Sequence, residues 1–311
     1  MKNIKVVFFG TPEYVLPILK RLHRTFNRAP QKNLFAVVTQ PPTLDKKGLK
    51  RYSPVDDFAH KHRLEIYHDP QKAPAADLAI LAAYGKIIPE EVIKKYRYGI
   101  LNIHPSLLPK YRGASPTQAA IACGETQTGV SIIKMDCELD HGPVVSSFKE
   151  EIKPDDTNES LRGRLFERSA KFIIEMLPSY LDNKINLKPQ DHDKATFTTT
   201  IKKVYGYIEP RLLQKAIESK LKNDHKFDIP FVANTKLPTT NYQLLNYIQA
   251  LQPWPGVWTT VKIGDETKRL KMLKAHVNEK KLVLDEVQLE GKNPVGWKQF
   301  KEGYPDFEFE K

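Results

Sequence analysis

The chain has 311 residues, 40% of them apolar, with a formal net charge of +12. That length allows more than one domain and a large core, and no apolar run approaches the roughly 18 residues that cross a bilayer. Two cysteines, Cys123 and Cys137, form no disulfide framework and suit a reducing cytoplasm, while scattered histidines without paired spacing predict no metal site.

Residues 4–9 predict a buried first strand, too short for a signal peptide and ended by the turn Gly10-Thr11-Pro12. Residues 14–25 carry helical apolar spacing at Val15, Ile18, Leu19 and Leu22. Pro12 and Glu13 stand where a dinucleotide fold needs glycines, and Glu13 would repel a pyrophosphate, so a plain strand-to-helix turn is expected. Residues 34–39 predict a second strand, followed by a basic loop over 43–52. From Lys20 to Arg63, the cations Lys20, Arg21, Arg24, Arg28, Lys32, Lys46, Lys47, Lys50, Arg51, Lys61 and Arg63 face only Asp45, Asp56 and Asp57. Such an excess attracts a polyanion such as nucleic acid, or is simply a solvated surface.

Ser53-Pro54 predicts a capped helix over 55–62. A strand at 78–83, a short helix at 89–96 and a strand at 99–103 come next, then a helix at 115–123 ending at Gly124. Strands at 129–135 and 144–151 lead to a long helix at 157–182. This alternation argues for an open, Rossmann-like, largely parallel α/β sheet. The polar stretch 186–200 reads as an inter-domain connection. Beyond it come helical patterns at 212–222 and 242–251, then alternating runs at 257–263, 270–277, 281–287 and 297–300. Those runs predict short strands of a smaller C-terminal β-barrel. The expected organisation is an α/β domain over 1–185, a linker over 186–207 and a C-terminal domain over 208–311.

Leu101-Asn102-Ile103-His104-Pro105 puts Asn102 and His104 two apart on a strand, hence on one face, just where proline turns the chain out of the sheet. An asparagine amide can donate to a developing oxyanion, and a histidine can donate or move a proton near neutral pH. A satisfied polar pair at a strand end is the alternative. Asp140 lies in the loop after the 129–135 strand. Loops at the carboxyl ends of strands converge in open α/β sheets, which would bring Asp140 to His104 and orient its ring. A turn-forming aspartate before Gly142 is the alternative there. Ser106, two residues from His104 across Pro105, is a weak candidate nucleophile.

The run Asn102-Ile103-His104-Pro105-Ser106-Leu107-Leu108-Pro109, with Tyr111-Arg112-Gly113 and Leu139-Asp140-His141-Gly142-Pro143, resembles the 10-formyltetrahydrofolate-dependent formyltransferases. Further similar segments occur in order along the chain, including Gly10-Thr11-Pro12-Glu13, Ala83-Tyr84-Gly85 and Pro253-Trp254-Pro255-Gly256. The resemblance implies a monomeric cytoplasmic transferase with a folate-binding catalytic half and an OB-like β-barrel half that helps hold tRNA. It places the catalytic asparagine, histidine and aspartate on Asn102, His104 and Asp140. Folate contacts fall on Ser106, Leu107, Leu108 and Pro109, with Tyr84, Gly85, Ile87 and Ile88 near the pterin. The implied acceptor is the α-amine of initiator methionyl-tRNA, contacted by Lys46, Lys47, Lys50 and Arg51 of the basic loop. This loop departs from the family pattern, with Lys46-Lys47-Gly48 where an Arg-Gly pair is expected. Two other functions share these residues: formyl transfer to an amino-sugar nucleotide, and a catalytically silent tRNA-binding module.

Overall fold

Val6, Val7, Phe8 and Phe9 are fully buried in β1 (Val6–Gly10), since a central strand covered on both faces has no polar side. The computed structural model describes residues 4–27, 33–221 and 226–310; Arg28 and Lys32, named above, and the last residue of the expected 212–222 helix lie outside the described residues. Its contacts divide the chain into two units that interleave in sequence. One comprises 1–112, 128–150 and 162–195; the other comprises 113–127, 151–161 and 196–311.

The first unit is built on a seven-stranded sheet in the order β10-β9-β7-β6-β1-β2-β5. Beside β1 run β2 (Leu34–Val38) and β6 (Leu78–Ala82), both parallel to it, and β5 (Glu65–Tyr67) lies parallel to β2. β5 escapes the apolar patterning, because it is short and half-exposed at the sheet edge. β7 (Ile100–His104) is parallel to β6, with Leu81 opposite Asn102. β9 (Gln127–Lys134) runs antiparallel to β7, and β10 (Val144–Glu151) completes that edge.

α1 (Leu16–Phe26) buries Ile18, Leu19, Leu22 and Phe26 on one face, and a short 3-10 turn over Glu13–Val15 precedes it. The expected basic loop is a small hairpin, β3 (Thr43–Leu44) paired antiparallel with β4 (Lys50–Arg51). α2 (Pro54–Lys61) starts with a capping box: the Ser53 hydroxyl accepts from the Asp56 amide at 3.0 Å, and the Asp56 carboxylate accepts from the Ser53 amide at 3.1 Å. The four-residue α3 (Glu90–Ile93) buries Val92, and α5 (Asn158–Leu181) is the long helix that closes this half. Among the described residues no helix is long and apolar enough to cross a membrane.

Two-residue strands β8 (Arg112–Gly113) and β11 (Phe197–Thr198) lie at changes between units. In the second unit, α4 (Pro116–Ala122) packs against α7 (Asn241–Ala250), and the Gln243 side chain donates to the Ala122 carbonyl. α6 (Pro210–Ile217) and the hairpin β12 (Lys226–Asp228) with β13 (Lys236–Pro238) precede a five-stranded antiparallel sheet. Its members are β14 (Val257–Ile263), β15 (Glu266–Asn278), β16 (Lys281–Leu289), β17 (Val295–Gly296) and β18 (Glu308–Phe309), in the order β17-β16-β15-β14-β18. Alternate residues such as Val257, Val261, Leu270, Met272, Leu282 and Leu284 fill its core. The run at 297–300, expected as a strand, is instead the start of α8 (Trp297–Gly303). Trp297 and Phe300 are three apart, so a helix stacks their rings at 5.4 Å, and Lys298 pairs with Glu302 one turn on.

Candidate active site

β7 (Ile100–His104) ends in the candidate pair Asn102 and His104. Period-two alternation puts Asn102 and His104 on one face, and both are buried, at 8% and 4% exposure. Asp140 joins them: Asn102 Nδ2 donates to Asp140 Oδ1 at 3.0 Å, and His104 Nδ1 lies 3.4 Å from Asp140 Oδ2. The other ring nitrogen, His104 Nε2, lies 2.9 Å from the Tyr111 carbonyl oxygen. A carbonyl only accepts, so Nε2 carries a proton and Nδ1 is the atom presented to the carboxylate.

Asp140 reaches this pair by a different route from the one expected. Because β9 is antiparallel to β7, its carboxyl end lies beside the start of β7, with Lys134 opposite Leu101 and the Met135 amide donating to Ile100 at 2.9 Å. Convergence of carboxyl ends therefore does not bring Asp140 in. The loop between β9 and β10 closes at its neck, where Lys134 N donates to Pro143 O at 3.0 Å, and it folds back so that Asp140 meets both β7 side chains. Asp140 adopts a left-handed backbone, φ 47°, which aspartate tolerates better than most residues.

A buried side chain from the segment read as a connection holds that loop. Gln190 Nε2 donates to the carbonyls of Asp140 and Gly142, each at 2.8 Å. Gln190 Oε1 in turn accepts from Arg112 Nε at 3.2 Å and Nη2 at 2.8 Å, and Arg112 Nη2 also reaches His192 Nδ1 at 2.7 Å. The His192 ring stacks on His141 at 4.0 Å, and His141 Nδ1 binds the Asp136 carboxylate at 2.6 Å. Sequence reasoning gave no role to Gln190. Its only local signal is a polar residue in a polar stretch, and 7% exposure is a tertiary property.

The Ser106–Pro109 segment is shaped from within. Ser106 is fully buried and its hydroxyl donates to the Lys110 carbonyl at 2.6 Å, so it closes the loop rather than serving as a nucleophile. Ser131 on β9, also missed from sequence, donates to Ser106 O at 2.8 Å and accepts from Leu108 N at 3.0 Å. Leu107 lies over Gly129, where any Cβ would come within 2.6 Å of its side chain.

Tyr84 and Gly85 follow β6, at the edge where β7 also ends. The Tyr84 carbonyl accepts from Thr11 Oγ1 at 3.1 Å and Gln40 Nε2 at 2.9 Å, which ties three strand ends together. The Tyr84 and Ile88 side chains turn into the core, at 1% and 4% exposure, so they can present only backbone to a ligand. Burial, followed by the nearby Asp69 charge, raises the Tyr84 phenol above its ordinary value. Ile87 by contrast is 84% exposed, and Leu139, next to Asp140, is 58% exposed. Lys46, Lys47, Lys50 and Arg51 project from the β3–β4 hairpin with Leu44, Leu49 and Tyr52 also exposed. The hairpin turn is held by Asp45, whose carboxylate accepts from the amides of Lys47 and Leu49 at 2.8 and 3.0 Å, with Gly48 at φ 77°.

Residues 2–177 match the formyl transferase family, a span that includes Asn102, His104 and Asp140. A methionyl-tRNA formyltransferase of Sulfurihydrogenibium is 33% identical over 288 residues, 89% of this chain and 81% of the relative. The crystal structure of an N-formyltransferase from Helicobacter canadensis, in complex with folinic acid and dTDP-3-aminofucose, superposes with a TM-score of 0.58 at 16% identity, covering 88% of each chain. The methionyl-tRNA formyltransferase from Clostridium thermocellum gives a TM-score of 0.54 at 19% identity, covering 92% of this chain and 98% of that one. At such identities these two likenesses establish the fold alone. The family match over residues 2–177 and the relative at 33% identity place the chain in the formyl transferase family.

Proposed function

We propose that this protein is a methionyl-tRNA formyltransferase, moving the formyl group of 10-formyltetrahydrofolate to the α-amine of initiator methionyl-tRNA for translation initiation. The observation that carries the chemistry is the junction of Asn102, His104 and Asp140 at 3.0 and 3.4 Å. The residues present also suit the donor: Ile87, three residues after Tyr84, and Leu139, next to Asp140, expose apolar surface that a flat ring can cover. The relatives at 33% and 37% identity named as methionyl-tRNA formyltransferases, and the cationic hairpin at Lys46, Lys47, Lys50 and Arg51, favour RNA over a sugar nucleotide as the acceptor. In this reading the enzyme acts in the cytoplasm, as a monomer.

The neutral amine attacks the formyl carbon, forming a C–N bond and an alkoxide; the bond to the folate nitrogen then breaks, and that nitrogen takes up the proton the amine gives up. Asn102, which spends one amide hydrogen on Asp140, has its second to donate to the alkoxide. His104 Nδ1 and the Asp140 carboxylate lie together to take the amine proton and return it to the leaving nitrogen, directly or through water. No acyl-enzyme is required, consistent with the committed hydroxyl of Ser106. Since only the unprotonated amine attacks, the rate is expected to fall on the acid side of a kcat/KM profile; a profile without that limb contradicts the scheme.

The deciding experiment supplies 10-formyltetrahydrofolate with either charged initiator tRNA or an amino-sugar nucleotide and measures which amine is formylated. Formylation of the sugar alone overturns the acceptor assignment, and tRNA binding without any formylation supports a silent module. Gln190→Ala is expected to lower kcat about ten-fold or more with little change in folate affinity, because it frees the Asp140 loop. Gln190→Glu lacks both amide donors and should not rescue turnover; full activity in either variant removes Gln190 from the positioning of Asp140.

A further inference from the structure

A groove of about 730 Å3 runs between α1 and α5, and none of the residues that line it belongs to the candidate active site. Lys20, Arg21 and Arg24 line one wall and Arg164, Arg168 and Lys171 the other, while Glu167 is the one carboxylate in the lining among the described residues. Folding does not call for this arrangement. Ile18, Leu19, Leu22 and Phe26 already bury the apolar stripe of α1, which contains no acidic residue. Lys20 and Arg24 are four apart on one helix, where like charges destabilise by a few tenths of a kcal/mol. Arg164, Arg168 and Lys171 recur at helical spacing on one face of α5.

Part of the groove is fixed in place. Glu150 accepts from Arg164 Nε at 2.8 Å and from Arg168 Nη1 at 2.5 Å, and Arg168 also lies 4.5 Å over the Phe148 ring. Burial pushes the Glu150 carboxyl up, but hydrogen bonds from Arg168 and Arg164 outweigh it and hold the group below its ordinary value. Glu150 thus aims two guanidiniums, and Glu175 lies 3.7 Å from Lys171; counted with Glu167, these three carboxylates leave an excess of three positive charges among the six cations. Side chains held in this way lose less entropy on binding than mobile surface lysines.

We infer that this groove is a second RNA-binding surface, which takes consecutive phosphates of the tRNA substrate away from the reacting amine; the inference rests on the acceptor reading above. Along the helices the cationic rows span about 6 Å from Lys20 to Arg24 and about 10 Å from Arg164 to Lys171. A nucleic-acid strand advances one negative charge per about 3.4 Å, so both rows match an extended polyanion better than a single small anion. Pro17, at the start of α1, lies at the end of the groove nearest the edge where β1, β6 and β7 finish. The groove thus begins on the catalytic side of its unit.

The test uses Lys20→Glu/Arg24→Glu, both at exposed positions, in the full-length protein. Equilibrium binding of initiator tRNA is measured across a salt series, alongside fluorescence titration of monoglutamyl and polyglutamyl folate. We expect the tRNA Kd to rise about ten-fold or more at 0.1 M salt, and the slope of log Kd against log salt to fall by about two, with both folates bound as before. Unchanged tRNA affinity and slope, in a protein whose unaltered form formylates charged tRNA, overturns the groove and leaves the acceptor reading standing. An unaltered protein that neither binds nor formylates tRNA overturns both. Weaker binding of polyglutamyl folate with tRNA binding intact assigns the groove to the folate tail and overturns the inference. If the reversal weakens both folates, Arg21→Ala/Lys171→Ala decides by the same salt slope.

Discussion

Asp140→Asn is expected to lower kcat about 10²- to 10⁴-fold, with folate affinity within about two-fold of the unaltered protein. Asparagine matches aspartate in size and tolerates the φ of 47° at this position, so the loop keeps its path. The change removes a proton acceptor, and it turns one of the two oxygens facing Asn102 and His104 into an NH2 group. Whichever way the new amide is oriented, it repels the Asn102 donor or leaves His104 without its carboxylate. Single-turnover formylation of charged tRNA reads the chemical step, and fluorescence titration reads folate binding. A variant within ten-fold of normal turnover would remove Asp140 from the catalytic set.

Gly142→Ala is the second large effect, and it acts through the backbone. A Cβ at Gly142 would lie 2.0 Å from the Lys134 carbonyl oxygen, a main-chain atom that cannot swing aside. The neck of the Asp140 loop would have to open, stretching the Lys134–Pro143 bond of 3.0 Å and the Gln190 contact of 2.8 Å to the Gly142 carbonyl. Destabilisation of about 2 kcal/mol or more is expected by urea denaturation. Displacing Asp140 by an ångström should cost roughly 10²-fold in kcat. Gly163→Ala is the control: nothing lies within 4 Å of its Cβ, in the exposed part of α5. Alanine there should stabilise by about 0.5–1 kcal/mol through helix propensity. Equal stability for Gly142→Ala and the unaltered protein would contradict this account of the neck.

Local rules made much of the fold legible. Continuous apolar runs predict β1, β2, β6 and β7, which are buried on both faces, and Ser53-Pro54 marks the start of α2 because its cap is made by residues three apart. The run at 297–300 misled because two apolar residues, Trp297 and Phe300, within four positions are too few to show a period, and only their packing against Phe307 shows which face is covered. The basic loop was visible as charge, but its hairpin pairing and the Asp45 turn were not, since two-residue strands carry no periodicity.

By itself the sequence determined that Asn102 and His104 share a face, because side-chain alternation is a property of one strand. It also carried the motif that marks the family. Tertiary structure alone decided how Asp140 joins them, that Gln190, fifty residues further along, holds its loop, and that α1 and α5 bring their cations to one groove. These pairings depend on strand direction and on the closure of long loops. Those are settled by the packing of the whole chain and leave no period in the local pattern.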